Sequence, residues 1–178
     1  MRIRNKLATA GVVTLLAVAG HQALAATDGT LGATSTGTSD VSLTINQSYQ
    51  ISGVSDLALG AWSGTGDLSG NDDVCVYTND ASAGYQVNIT NSTGSFTVAN
   101  AGATASVPFA VKWNSTTGTS GNQAVTYNSP LAGTGANTSS TNCGGGNDAN
   151  FEVSVLAADL SAAPADSYSS TLSITIEP

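Results

Sequence analysis

One pattern recurs along the chain and limits its folds: short runs of alternating apolar and polar residues, separated by clusters of Gly, Asn, Ser and Asp. Alternation of period two puts one set of side chains on one face of an extended strand. In 85–90, "YQVNIT", Tyr85, Val87 and Ile89 share a face, and in 106–113, "SVPFAVKW", Val107, Phe109, Val111 and Trp113 do so. Strands are likewise expected at 40–46, 49–52, 57–62, 73–78, 95–99, 150–156 and 170–178, with a weak one near 123–127. Pro108 has no amide for a central ladder, so its run should lie at an edge or begin a strand. The Gly-, Ser- and Asn-rich stretch 114–148 reads as an exposed loop system. Low charge, at 9% of residues, abundant Thr, Ser, Asn and Gly and no convincing helical periodicity argue against an all-helical fold. The expected fold is all-β, an immunoglobulin-like β-sandwich of about seven, and up to nine, short strands.

The first 25 residues read as a cleaved Sec signal peptide. Arg2, Arg4 and Lys6 precede the apolar run "GVVTLLAVAG", which is short for a membrane span, and Ala23-Leu24-Ala25 supplies a small-residue cleavage site. No cysteine follows to carry a lipid. Beyond the leader 178 − 25 = 153 residues remain, enough for one domain. They keep all twelve acids but only Lys112 among the four basic residues, a net charge of +1 − 12 = −11. So acidic a chain offers no basic patch for nucleic acid or an anionic membrane, and no later segment is long and apolar enough for stable membrane insertion.

His21, the only histidine, goes with the leader. Without it no Ser-His-Asp or Cys-His centre and no imidazole-ligated zinc can form, and nothing marks two carboxylates as a catalytic pair. No enzyme activity, cofactor or metal is expected. Asp67, Asn71, Asp72 and Asp73 in "GDLSGNDDVC" are oxygen donors of a kind calcium takes, but they lack EF-hand spacing and its terminal glutamate. The stretch reads first as an acidic turn, with calcium left open. Cys75 and Cys143, the only cysteines, are expected to form one disulfide in an oxidising compartment; free thiols or intermolecular bonds are the alternatives. Trp62 and Trp113, with Tyr49, Tyr77, Tyr85, Tyr127 and Tyr168, could line a sugar-stacking surface, but their strand positions favour the core. The glycosylation-type triplets at Asn88, Asn91, Asn114 and Asn137 are of a kind a Ser/Thr/Asn-rich chain produces by chance.

The order of these pieces resembles subunits of archaic chaperone–usher pili and the related spore-coat protein U family. "TGTSDVSLTI" (36–45) matches an N-terminal extension of the form TG-x-x-DV-x-L-x-I. "LALGAW", "DVCVYT" with "YQVNIT", "VPFAVKW" and "DSYSSTLSITIEP" then follow in the family's order. The family often has a cysteine near its first domain strand; this chain has Tyr49 and its neighbours there and places its second cysteine at Cys143.

The resemblance implies a 26–47 extension carrying a donor strand and a 48–178 pilin-like sandwich that is incomplete without such a strand. A periplasmic chaperone would first fill the vacancy. The extension of the next subunit, through Val41, Leu43 and Ile45, would then replace it at an outer-membrane usher. The partners implied are copies of the chain or related pilins, and the destination is the periplasm in transit and then a cell-surface fibre. The alternative is a self-contained secreted β-sandwich acting as a binding, matrix or coat protein, or as a carbohydrate-binding module.

Overall fold

A computed structural model describes residues 26–178; the signal peptide read over 1–25 lies outside the described residues. The chain divides into a unit ending at Ile45 and a unit Asn46–Pro178. In the first, Thr27 and Thr38 exchange two backbone hydrogen bonds of 3.0 and 2.9 Å, which close the intervening residues into a loop. The loop is tight at Gly29, where a Cβ would displace the Ser35 hydroxyl and press on the Thr36 backbone at 3.0 Å. The strand expected at 40–46 does not form. Its alternation is real, but Val41, Leu43 and Ile45 stand exposed and 39–45 carry no ladder among the described residues.

The second unit is nearly all β. Its strands are β1 (Tyr49–Ser52), β2 (Leu68–Thr78), β3 (Tyr85–Asn91), β4 (Thr97–Asn100), β5 (Ser106–Pro108) and β6 (Ala110–Asn114), then β7 (Gln123–Ala124), β8 (Leu131–Gly133), β9 (Ala149–Val155), β10 (Tyr168–Ser169) and β11 (Leu172–Glu177). The described strands pair antiparallel, in a five-stranded sheet β1-β2-β9-β6-β7 and three-stranded sheets β10-β4-β5 and β11-β3-β8. The architecture is an all-β sandwich. Val74, Val76, Val87, Ile89, Val111, Trp113 and Phe151 fill its core, drawn from both layers.

Both alternating faces read most clearly from the sequence are buried: Tyr85, Val87 and Ile89 on β3, and Val107, Phe109, Val111 and Trp113 across β5 and β6. Pro108 ends β5, an edge strand, and at Phe109 the chain leaves that sheet to continue as β6 in the other. One expected strand therefore becomes two, split where proline denies a ladder bond.

Three other expectations are corrected. Residues 57–62 form no strand, because Gly60 takes a left-handed φ of 80° that breaks an extended run, although Leu57 and Leu59 still pack on the core. The acidic "turn" is the first half of β2, whose polar residues pair with β9 from Leu68↔Val155 to Val74↔Ala149. Residues 114–148 are more than exposed loop, since they supply β7, β8 and the buried Val125 and Ala136. A six-residue helix, α1 (Ala157–Ala162), was not expected; at under two turns it leaves no periodic signal. No helix among the described residues is long and apolar enough to cross a membrane.

Candidate strand-acceptor seam

Each sheet edge carries unpaired backbone donors and acceptors, a template for another strand. β11 pairs with β3 along one flank, in the register Leu172↔Asn91, Ile174↔Ile89 and Ile176↔Val87, and its other flank has no ladder among the described residues. β1 is an edge in the same sense: Tyr49 to Ser52 pair with Thr78 to Cys75 of β2 and with no other strand. The two strands run close together yet exchange no described backbone hydrogen bond, so a seam lies between the edges of the two layers.

The seam is apolar. Leu172, Ile174 and Ile176 alternate with Ser173 and Thr175, and all three pack against the core while staying only half-buried. Tyr49 and Ile51 on β1 do the same. Partly exposed apolar residues are common singly, but here they form a continuous file along two open edges, which makes the seam a candidate site for an added strand.

Both walls are braced from behind. Cys75, opposite Ser52 in the β1–β2 ladder, is joined to Cys143 by a disulfide, with Cα atoms 5.8 Å apart. Asp148 secures the loop on the far side of that bond. Its carboxylate accepts the backbone N–H groups of Val76 (2.8 Å) and Asn137 (2.9 Å), and Oδ2 lies 3.2 Å from Cys143 Sγ. Burial raises the Asp148 pKa above the ordinary carboxylate value, against the lowering effect of those backbone bonds. Behind β11, Tyr85 on β3 receives the Trp113 indole N–H at 3.1 Å, and burial raises its phenol pKa.

The residues singled out from the sequence fall as follows. Val41, Leu43 and Ile45 lie in the first unit, 94%, 85% and 78% exposed. Asp67, Asn71, Asp72 and Asp73 do not converge on a common point; three of them hold separate backbone groups. Asp67 accepts from Ala157 N (2.8 Å), Asp72 from Ser55 N (2.6 Å), and Asp73 from Gly118 N (2.7 Å) and the Asn150 amide (2.8 Å). Among the described residues the one cluster of metal-ligating side chains is Cys75, Cys143 and Asp148, and its thiols are consumed in the disulfide. Trp113 and Tyr85 are core residues, in edge-to-face contact at 6.3 Å. Sequence reasoning did not single out the seam's walls, Tyr49, Ile51, Leu172, Ile174 and Ile176, as a site. The alternation of 170–178 was the available signal.

No protein-family model matches the chain, and no curated protein is similar to it. Among solved structures it is similar to a chain in one described as "Chaperone-tip adhesin complex is vital for synergistic activation of CFA/I fimbriae biogenesis". The TM-score is 0.53 and the identity 15%, with 75% of this chain and 41% of that one covered. The likeness is one of fold, an all-β sandwich, and this chain spans about two-fifths of its neighbour's length.

Proposed function

We infer that the chain is a structural subunit of an exported surface fibre, its copies joined head to tail by donor-strand exchange. One observation carries this reading: three alternating apolar side chains stand exposed on an unpaired segment, Val41, Leu43 and Ile45, while three others on an unpaired edge, Leu172, Ile174 and Ile176, lie half-covered. In β-strand addition the main chain supplies hydrogen bonds and alternate side chains fill pockets, so the donor has the spacing the acceptor needs. Burying three such side chains contributes about 5–9 kcal/mol before ordering costs. A head-to-tail contact of this kind does not close, and it propagates as a fibre.

The fimbrial context of the structural neighbour and the colinear resemblance to archaic pilus and spore-coat U-like subunits support the reading. On this reading residues 26–47 are the extension and 48–178 the acceptor domain. A periplasmic chaperone occupies the seam in transit, an outer-membrane usher organises the exchange, and the protein has no catalytic role.

Leu43→Asp and Ile45→Asp should each abolish SDS-resistant multimers, because a carboxylate cannot enter an apolar seam unpaired. Fibres of normal length from both variants would place the donor elsewhere. Deleting residues 26–47 should leave a folded domain that cannot polymerise. If the deletion instead unfolds the monomer and the intact protein makes no multimers, the chain is a self-contained sandwich.

A further inference from the structure

A polar cluster holds the chain where it enters β1. Asn79, the residue after β2, grips two of the three residues that precede Tyr49. Its Nδ2 donates to the Asn46 carbonyl at 2.9 Å, and its Oδ1 accepts the Ser48 N–H at 2.8 Å. Its own N–H donates to the Ser48 carbonyl at 3.3 Å. The residue between, Gln47, donates its side-chain amide to Asp80 Oδ2 at 2.7 Å. Asp80 is itself fixed by the N–H and hydroxyl of Ser82, at 3.0 and 2.8 Å. Residues 46–48 thus prolong the β1 ladder one step beyond Tyr49↔Thr78, with Ser48 against Asn79, and the chain enters β1 without turning.

We propose that Asn79 and Asp80 form an anchor that denies the N-terminal segment its own domain's seam and so commits Val41, Leu43 and Ile45 to a second copy of the chain. The proposal rests on the donor-strand reading and adds the device that sets its direction. To lie along the free edge of its own β1, the segment must double back, and the tightest reversal uses two residues. With 46–48 held straight by the anchor, that reversal falls at 44–45 or earlier. Ile45 is then spent in the turn, and a reversal further upstream removes Leu43 as well. A second copy's seam demands no reversal and receives all three side chains.

The distinction matters because a short tether gives its own seam an effective concentration in the millimolar range, far above that of free subunits. Without a penalty on self-insertion, the monomer would cap itself. The length available agrees with use as a whole strand. Between the loop closed at Thr38 and the anchor at Asn46 lie the seven residues 39–45, about 23 Å when extended, against about 20 Å for the six residues of β11.

Two changes should release self-insertion by different routes. Asn79→Ala frees 46–48 to turn. A Gly-Gly insertion between Ile45 and Asn46 supplies a hairpin turn outside the anchor and alters no residue of the domain, so its folding is not at issue. A Pro-Pro insertion at the same place adds equal length but is stiff and extended.

With purified full-length chain at micromolar concentration, the wild type and the Pro-Pro variant should form SDS-resistant multimers. The Gly-Gly and Asn79→Ala variants should lose multimers by at least about tenfold, as expected when a millimolar tether competes with micromolar subunits. Their monomers should melt at a higher temperature than wild-type monomer, a gain that adding Leu43→Asp removes. Wild-type levels of multimer from the Gly-Gly variant, or equal loss from both insertions, would overturn the anchor while leaving donor-strand exchange intact. No multimers from the wild type, either as purified chain or when exported with its chaperone and usher, would overturn both.

Discussion

β3 and β11 are neighbours in one sheet, paired in register, and both present alternating apolar side chains to the core. Yet Tyr85, Val87 and Ile89 on β3 are 4%, 0% and 0% exposed, whereas Leu172, Ile174 and Ile176 on β11 pack on the core but stay partly exposed. Residue type does not explain the difference, since Ile174 lies directly opposite Ile89. Position does. β3 is flanked by β11 on one side and on the other by β8 at Tyr85–Val87 and by the loop residue Asn128, whose N–H donates to the Ile89 carbonyl at 3.0 Å, whereas among the described residues β11 pairs with β3 alone. The same alternation therefore produces a sealed core strand in one place and an open edge in the next, and what separates them is cover on the second flank.

The largest effect is expected at the brace behind the seam. Replacing both Cys75 and Cys143 by Ser opens a crosslink with a sequence separation of 68, which should lower unfolding free energy by about 4 kcal/mol in the chain-entropy account. Urea denaturation measures it. A loss below about 1 kcal/mol would mean that Asp148, through its bonds to Val76 and Asn137, holds this loop by itself. A peptide of residues 36–46 should still bind the variant at temperatures where it stays folded, because the seam's apolar walls are untouched.

The contrast itself is tested by a matched pair. Ile89→Ala empties a sealed site and should cost about 3–4 kcal/mol, whereas Ile174→Ala, at a half-open one, should cost about 1–2 kcal/mol. With the 36–46 peptide in excess, the cost of Ile174→Ala should rise toward that of Ile89→Ala, while the cost of Ile89→Ala stays put. Equal costs in the free protein would show that β11 is already sealed and that no strand is missing.

How far this was legible beforehand depends on where each residue finds its partners. The faces of 85–90 and 106–113 were readable because each is covered along its length, so the local pattern matches the burial. The disulfide followed from there being two cysteines. The strand character of 68–72 was hidden, because Asp72 is satisfied by the backbone N–H of Ser55, 17 residues away in sequence, and no local rule distinguishes that carboxylate from one in a turn. The sheet change at Phe109 and the break at Gly60 are single-residue backbone events inside runs whose alternation continues past them. The seam was half legible: 170–178 reads plainly as a strand, but its open flank depends on which strands lie beside it. Asn79 carried no signal, since a lone asparagine after a strand looks like any turn residue.

The smallest effect tests the sealed side by pH. Burial raises the Tyr85 phenol pKa; the hydrogen bonds with Ser115 and Trp113 work against this, and the Asp148 charge reinforces it. In the unfolded chain the same phenol ionises near 10.0, so the unfolded state releases its proton first. The contribution of Tyr85 to stability is then complete below pH 10 and is lost as pH rises through the higher folded value. Urea midpoints measured from pH 9 to 11 should fall through this window. Tyr85→Phe should flatten the fall, while costing about 1 kcal/mol at pH 7 because the buried Trp113 N–H loses its acceptor. Ile174→Ala, which changes no titrating group on β11's inward face, should keep the wild-type slope. If Tyr85→Phe retains that slope, the phenol is not sealed, and the difference between β3 and β11 is smaller than their burial implies.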